Sequence, residues 1–143
     1  MNLIRYTFEV EKDDFIRAGE ASSNIKKILR QLGIDSSLTR KIAIAAYEAE
    51  MNIVIHSMGG EIELEVDANS IRVTAKDHGP GIEDVELAMQ EGYSTAPDKI
   101  REMGFGAGMG LPNMKKCCDK FIINSKPGVG TTITMEVNLK AGA

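Results

Sequence analysis

Apolar and polar residues alternate from Leu3 to Val10, putting Ile4, Tyr6, Phe8 and Val10 on one side, the period-two pattern of a half-buried strand. The spacing then turns helical. Phe15, Ala18, Ile25, Ile28, Leu29 and Leu32 fall on one packing side, which predicts a helix from a cap at Asp13 or Asp14 to about Leu32, stopped by Gly33. A second, longer helix is expected over Arg40 to Ser57, with Ser36 and Ser37 as candidate N-caps and Gly59-Gly60 as the stop. Two alternating strands follow, Glu61 to Asp67 and Ile71 to Asp77, joined through a turn at Ala68-Asn69-Ser70. A helical segment over Glu83 to Gln90 and a helix over Pro112 to Asp119 come next. Two more strands, Lys120 to Ser125 and Thr131 to Leu139, flank the turn Lys126-Pro127-Gly128-Val129-Gly130. Strands with one wet face and amphipathic helices predict an α/β (α+β) two-layer sandwich, with helices on one face of a mixed, mostly antiparallel sheet.

The long helix carries the most informative polar residues. At about 100° per residue, Glu50 falls with Ala43, Ala46 and Ser57 on a small, polar side of the kind that faces solvent. Glu48 and Asn52 fall together opposite, flanked by Ile44, Ile55, Ala45 and His56. A carboxylate beside an amide on an apolar, inward face is costly to bury without partners. One reading is a buried Glu satisfied by backbone groups or a distant Arg. Two adjacent polar groups favour a functional site. His56 reads as a packing residue and His78 as a solvated turn residue.

Length and composition narrow the class. The 143 residues, 43% hydrophobic and 27% charged, fit one globular domain spanning residues 1–143. A net charge of −4 without a basic run argues against a nucleic-acid partner. No apolar stretch approaches a membrane span and no signal-peptide pattern opens the chain, so a cytoplasmic protein without a membrane partner is expected. The adjacent Cys117 and Cys118 have neither zinc-site nor redox-motif spacing, and free thiols suit a reducing compartment.

Between the sheet halves, Asp77 to Leu111 shows little regular patterning, a length usual for a lid or binding loop. Gly104, Gly106, Gly108 and Gly110 alternate just before the start of a helix. Backbone N–H groups free of Cβ atoms, next to a helix N-terminus, make a phosphate cradle; a hinge without ligand is the alternative. Met109 and Leu111 break a GxGxxG reading, and no Lys-Ser/Thr pair makes a P-loop. Asp77, at a strand end before Gly79 and Gly81, can accept a hydrogen bond from an exocyclic amine while Gly81 admits a flat base. Taken alone, Asp77-Gly81 and Gly128-Val129-Gly130-Thr131 read as turns.

Taken together, Glu48-x-x-x-Asn52, Asp77-x-Gly79-x-Gly81, the glycines 104 to 110 and Gly128-x-Gly130-Thr131 resemble, in order and spacing, the GHKL (histidine-kinase-like) ATP-binding fold. Within it the chain is most similar to the small stand-alone serine/threonine protein kinases of bacterial partner-switching systems. The RsbT-like switch kinases come first and the anti-sigma factor kinases next. The similarity runs from about Leu3 to Leu139 and rests on DHGPGIEDVELA, EGYST, GMGLPNMKK and SKPGVGTT.

The resemblance implies ATP and Mg²⁺ as cofactors and a set of roles. Asn52 would hold the metal against the phosphates, and Glu48 would be the general base toward a substrate hydroxyl. Asp77 would read the adenine amine, with Gly79 and Gly81 packed near the base and Thr131 supporting Asp77 through its hydroxyl or a water. Gly104, Gly106, Gly108, Gly110 and Leu111 would form the phosphate lid. The implied substrate is a STAS-domain antagonist protein; a sigma factor or a phosphatase is the further partner such modules take, and the family allows a homodimer. The chain lacks the helical hairpin with a phosphoacceptor His that histidine kinases use. An ATP-dependent clamp with little transfer chemistry is the alternative, although a clamp has no use for Glu48. One departure stands out: Ala96 to Met103 lengthens the lid, which would hold ATP longer or bear a partner contact.

Overall fold

The computed structural model of the chain describes residues 3–11, 16–56, 59–79, 114–126 and 128–139. Within them lie, in order, β1 (Ile4–Val10), α1 (Glu20–Gln31), α2 (Ser36–His56), β2 (Gly60–Val66), β3 (Ser70–Asp77), β4 (Lys120–Lys126) and β5 (Gly130–Asn138). The five strands form one sheet in the order β1-β2-β3-β5-β4. Every neighbouring pair among them is antiparallel, where the sequence predicted a mixed, mostly antiparallel sheet.

The register explains the alternation read from sequence. Ile62 sits opposite Phe8 and Ala75, Leu64 opposite Tyr6 and Val73, and Val73 opposite Met135. One face is therefore apolar across the sheet, and Ile62, Leu64, Val66, Ile71, Val73, Ala75, Ile133, Met135 and Val137 are buried on it. α1 and α2 pack on each other and contribute Ile25, Leu29, Ile42, Ala45, Ala46, Ala49, Ile53 and Val54 to the same core. The other face is charged, with Arg5 paired to Glu65 at 3.5 Å and Arg72 to Glu136 at 3.5 Å. Such exposed pairs add little stability; they keep that face wet.

Local chemistry sets the helix ends. α1 stops as predicted at Gly33, whose φ is 77°; its N–H donates to the Arg30 carbonyl and that of Ile34 to the Leu29 carbonyl. Its start differs from the prediction. Residues 12–15, including Asp13 and Asp14, lie outside the described residues, and α1 begins only at Glu20 behind a turn over residues 16–19. Gly19, in the N-cap position, has φ 95°, a left-handed conformation, and no side chain to cap with. α2 is capped by Asp35, which the sequence reading passed over for Ser36 and Ser37. Asp35 Oδ2 accepts from the Ser37 N–H at 3.1 Å and the Leu38 N–H at 3.2 Å, and the helix starts four residues before Arg40. The predicted segment Glu83 to Gln90 lies outside the described residues. Of Pro112 to Asp119, Met114 to Lys116 is helical and Cys117 has already left the helix.

Candidate functional site

The faces of α2 are assigned the other way round from the sequence reading. Glu50, expected on a solvated side with Ala43, Ala46 and Ser57, is 2% exposed, and Ala46 is fully buried. Its carboxylate reaches across to the open end of α1. Oε2 accepts from the Ala21 N–H at 3.1 Å and Oε1 from the Ser22 N–H at 3.0 Å. Glu50 is thus the cap that Gly19 cannot supply, and its charge lies at the positive end of the α1 dipole. The buried Glu satisfied by backbone groups does exist on this helix. It is Glu50, not Glu48.

Removing this cap has a stability consequence. Glu50→Ala leaves two buried N–H donors of α1 unpaired and is expected to cost about 2–4 kcal/mol of unfolding free energy. Urea denaturation checks it; a loss below about 0.5 kcal/mol would mean that water or a neighbour replaces the carboxylate.

Glu48 and Asn52 are half-buried, not inward-facing. Four residues apart, they share a stripe of α2 at the edge of the core, beside buried Ala45 and Ala49. Ile44, one turn before Glu48, is 44% exposed, and neighbouring Tyr47 is 36% exposed. The Tyr47 ring lies where a Cβ on Gly19 would touch it at 3.4 Å. Burial raises the pKa of Tyr47, with the charges of Glu48 and Glu50 adding to the shift. Burial likewise raises the Cys117 thiol; Lys41 opposes that rise and Glu48 adds to it. Cys118, pushed up to about 12 chiefly by burial, stays a protonated thiol.

Asp77 ends β3, and its surroundings are built from three glycines. Its Oδ1 accepts from the Gly79 N–H at 3.0 Å and from the Thr131 N–H at 2.9 Å. Oδ2 carries no hydrogen bond among the described residues. Gly79 takes φ 89° beside the Val129 carbonyl. A Cβ on Gly130 would overlap the Asp77 carbonyl, and one on Gly60 would overlap the Lys76 carbonyl. Both positions need glycine so that the backbone can close around the carboxylate. The sequence reading gave Thr131 a supporting contact through its hydroxyl or a water. The direct contact is its backbone N–H, while its hydroxyl is bonded to Ser125 Oγ at 2.8 Å. Ser125, one residue type among many on a strand, gave no signal in sequence; only the register opposite Thr131 identifies it.

The glycines that follow α2 meet Asp77 at one end of the sheet. Gly60, four residues past the last residue of α2, pairs with Asp77, and the His78 N–H donates to the Gly59 carbonyl at 3.0 Å. His78 itself is exposed, as expected. Gly81, Gly104, Gly106, Gly108, Gly110 and Leu111 lie outside the described residues, as does the stretch Ala96 to Met103. A cavity of about 310 Å³ opens elsewhere, between β1, the start of α1 and the Glu50-Val54 side of α2. It includes neither Asp77 nor the Glu48-Asn52 stripe, and it adjoins residues outside the described ones.

The Asp77 carboxylate thus keeps one oxygen without a hydrogen bond among the described residues. The five-stranded antiparallel sheet with α1 and α2 packed on one face makes this an α/β protein. The chain belongs to the family of histidine kinase-like ATPase domains, which its residues 13–137 match. It is 32% identical over 124 residues to the serine/threonine-protein kinase RsbT of Bacillus subtilis, across 84% of this chain and 85% of that one. It is 28% identical over 145 residues to an anti-sigma F factor of Halalkalibacterium halodurans, across 97% of this chain and 92% of that one. Its fold is similar to a chain of the SiaB-SiaC complex from Pseudomonas aeruginosa, with TM-score 0.60 at 12% identity over 92% of this chain and 88% of that one.

Proposed function

We propose that this protein is an ATP-dependent serine/threonine kinase of a bacterial partner-switching system, acting in the cytoplasm on a STAS-domain antagonist. The observation that carries the reading is a carboxylate, Glu48, one turn from the amide of Asn52 on α2, the helix whose C-terminal end leads into Gly60, the partner of Asp77 in the sheet. Asp77 Oδ2 would accept from the adenine amine. The amide oxygen of Asn52 would be a ligand for Mg²⁺, which when bound offsets charge on the triphosphate. Glu48 would take the proton of the acceptor hydroxyl as it attacks the terminal phosphoryl group, and the lid glycines 104 to 110 would cover the phosphates. Positioning and charge neutralisation are the main catalytic terms in such transfers. The similarity to a relative named a serine/threonine-protein kinase supports this reading. Among the described residues no helix is long and apolar enough to cross a membrane.

The similarity to proteins named anti-sigma F factors supports a second reading, an ATP-dependent clamp on a sigma factor or phosphatase with little transfer. Incubation of the chain with labelled ATP, Mg²⁺ and purified STAS-domain proteins of its own organism separates the two. Incorporation of label at a mapped serine or threonine is expected. ATP binding with no incorporation into any of them favours the clamp.

A further inference from the structure

The outer stripe of α2 does not end at the candidate base. Read toward the start of the helix from Asn52 and Glu48, both half-buried, it passes through Ile44 and Tyr47 to Lys41 and Arg40, all four exposed. At about 1.5 Å rise per residue, Ile44 lies about 6 Å and Lys41 about 10 Å from Glu48 along the axis. The stripe is a ramp of rising exposure that leads into the site. Its apolar members stay uncovered, at 44% for Ile44 and 36% for Tyr47. Its cations have no ion-pair partner among the described residues, although the chain carries a net charge of −4 and pairs Arg5, Arg17 and Arg72 elsewhere.

We propose that this ramp, Arg40, Lys41, Ile44 and Tyr47, is the docking surface for the phosphoacceptor protein. The occupant is a STAS-domain protein presenting an apolar patch edged by acidic residues beside its phosphorylatable serine or threonine. The inference rests on the kinase reading, because it takes Glu48 as the point that the acceptor hydroxyl must reach. A protein bringing a hydroxyl to Glu48 covers far more than Glu48. A standard interface takes about 800 Å² from each partner, a disc about 16 Å in radius. Such a disc centred on Glu48 extends past Lys41. Toward the start of α2 from Glu48, Ile44, Lys41 and Arg40 are exposed, whereas Met51, on the next turn, is 5% exposed, so the ramp is the exposed part of the described stripe. Exposed Ile44 and Tyr47 supply an apolar centre, and Arg40 and Lys41, without an ion pair among the described residues, supply steering toward an acidic surface.

The test uses the full chain and the purified STAS-domain proteins of its organism, with wild type, the double variant Arg40→Glu/Lys41→Glu, and Ile44→Asp. Both positions are exposed on the second turn of α2, so the double variant is expected to fold, and a melting curve verifies this. Calorimetry should detect binding of at least one STAS protein to wild type in Mg-ATP. The double variant and Ile44→Asp should each weaken it at least 10-fold while ATP affinity stays within about 2-fold. In transfer assays the KM for the acceptor should rise with kcat little changed, and acidic-to-basic changes on the acceptor should restore binding to the double variant. Binding that is unaffected by these changes overturns the docking surface, as does a wild-type chain that binds no STAS protein. Binding lost in the variants, with no phosphate incorporated even by wild type, keeps the ramp and refutes the kinase.

Discussion

Asp77→Asn should weaken ATP binding by roughly 10- to 150-fold without unfolding the chain, the equivalent of about 1.5–3 kcal/mol for a hydrogen bond to a charged group. The geometry around the carboxylate makes the argument sharper than charge alone. Asp77 Oδ1 is held by two backbone N–H donors, from Gly79 and Thr131. An asparagine has one oxygen and one NH₂ group to divide between those donors and the ligand. With its oxygen toward Gly79 and Thr131, the loop survives but the NH₂ meets the adenine amine, donor against donor. With the amide flipped, the ligand contact is kept and two backbone donors lose their acceptor. Either orientation loses one side. Calorimetric titration of wild type and variant with ATP and GTP measures this. Wild type should prefer ATP, whose base offers an amine where that of GTP offers a carbonyl. Undiminished ATP affinity in the variant, or equal affinity of wild type for both nucleotides, overturns the role given to Asp77.

The strands were legible because each has one wet face. Glu61, Glu63 and Glu65 alternate with Ile62, Leu64 and Val66, and the register bears that alternation across the sheet. Gly33 was legible because a left-handed residue closing a helix is a local requirement. α2 misled the reading for a physical reason. It is apolar nearly all round, so the side with Ile44 looked like core, and the true packing side, with Ala46 and Glu50, looked like surface. Nothing near Glu50 in sequence announces its partners, the N–H groups of Ala21 and Ser22, 29 and 28 residues away. A glycine N-cap at α1 creates a need that only the tertiary fold reveals. Thr131 supports Asp77 by a route its residue type does not show: its backbone N–H donates to Asp77, and the pairing of β4 and β5 brings its hydroxyl to Ser125. The pair Glu48 and Asn52 was found by helical spacing, which holds whichever way the helix faces.

That pair supports the prediction with the largest expected effect. Glu48→Gln should bind Mg-ATP about as well as wild type and transfer phosphate 10²–10⁴-fold more slowly, the range a positioned general base contributes. Glutamine matches glutamate in size and, on a half-buried stripe, can keep hydrogen bonds to water, so the fold should persist. It cannot accept the hydroxyl proton. Asn52→Ala should lose both nucleotide affinity and transfer, because the amide oxygen that would hold the metal is gone. The two variants thus separate chemistry from binding on adjacent turns of one helix. Glu50→Gln is the control on the same helix: it changes the cap of α1, so it should lower the melting temperature without the selective loss of transfer. The measurements are label incorporation into the STAS acceptor, ATP titration and a melting curve for each variant. A folded Glu48→Gln protein that transfers phosphate at the wild-type rate would leave Glu48 a structural carboxylate. The base would then have to be sought elsewhere at this end of the sheet.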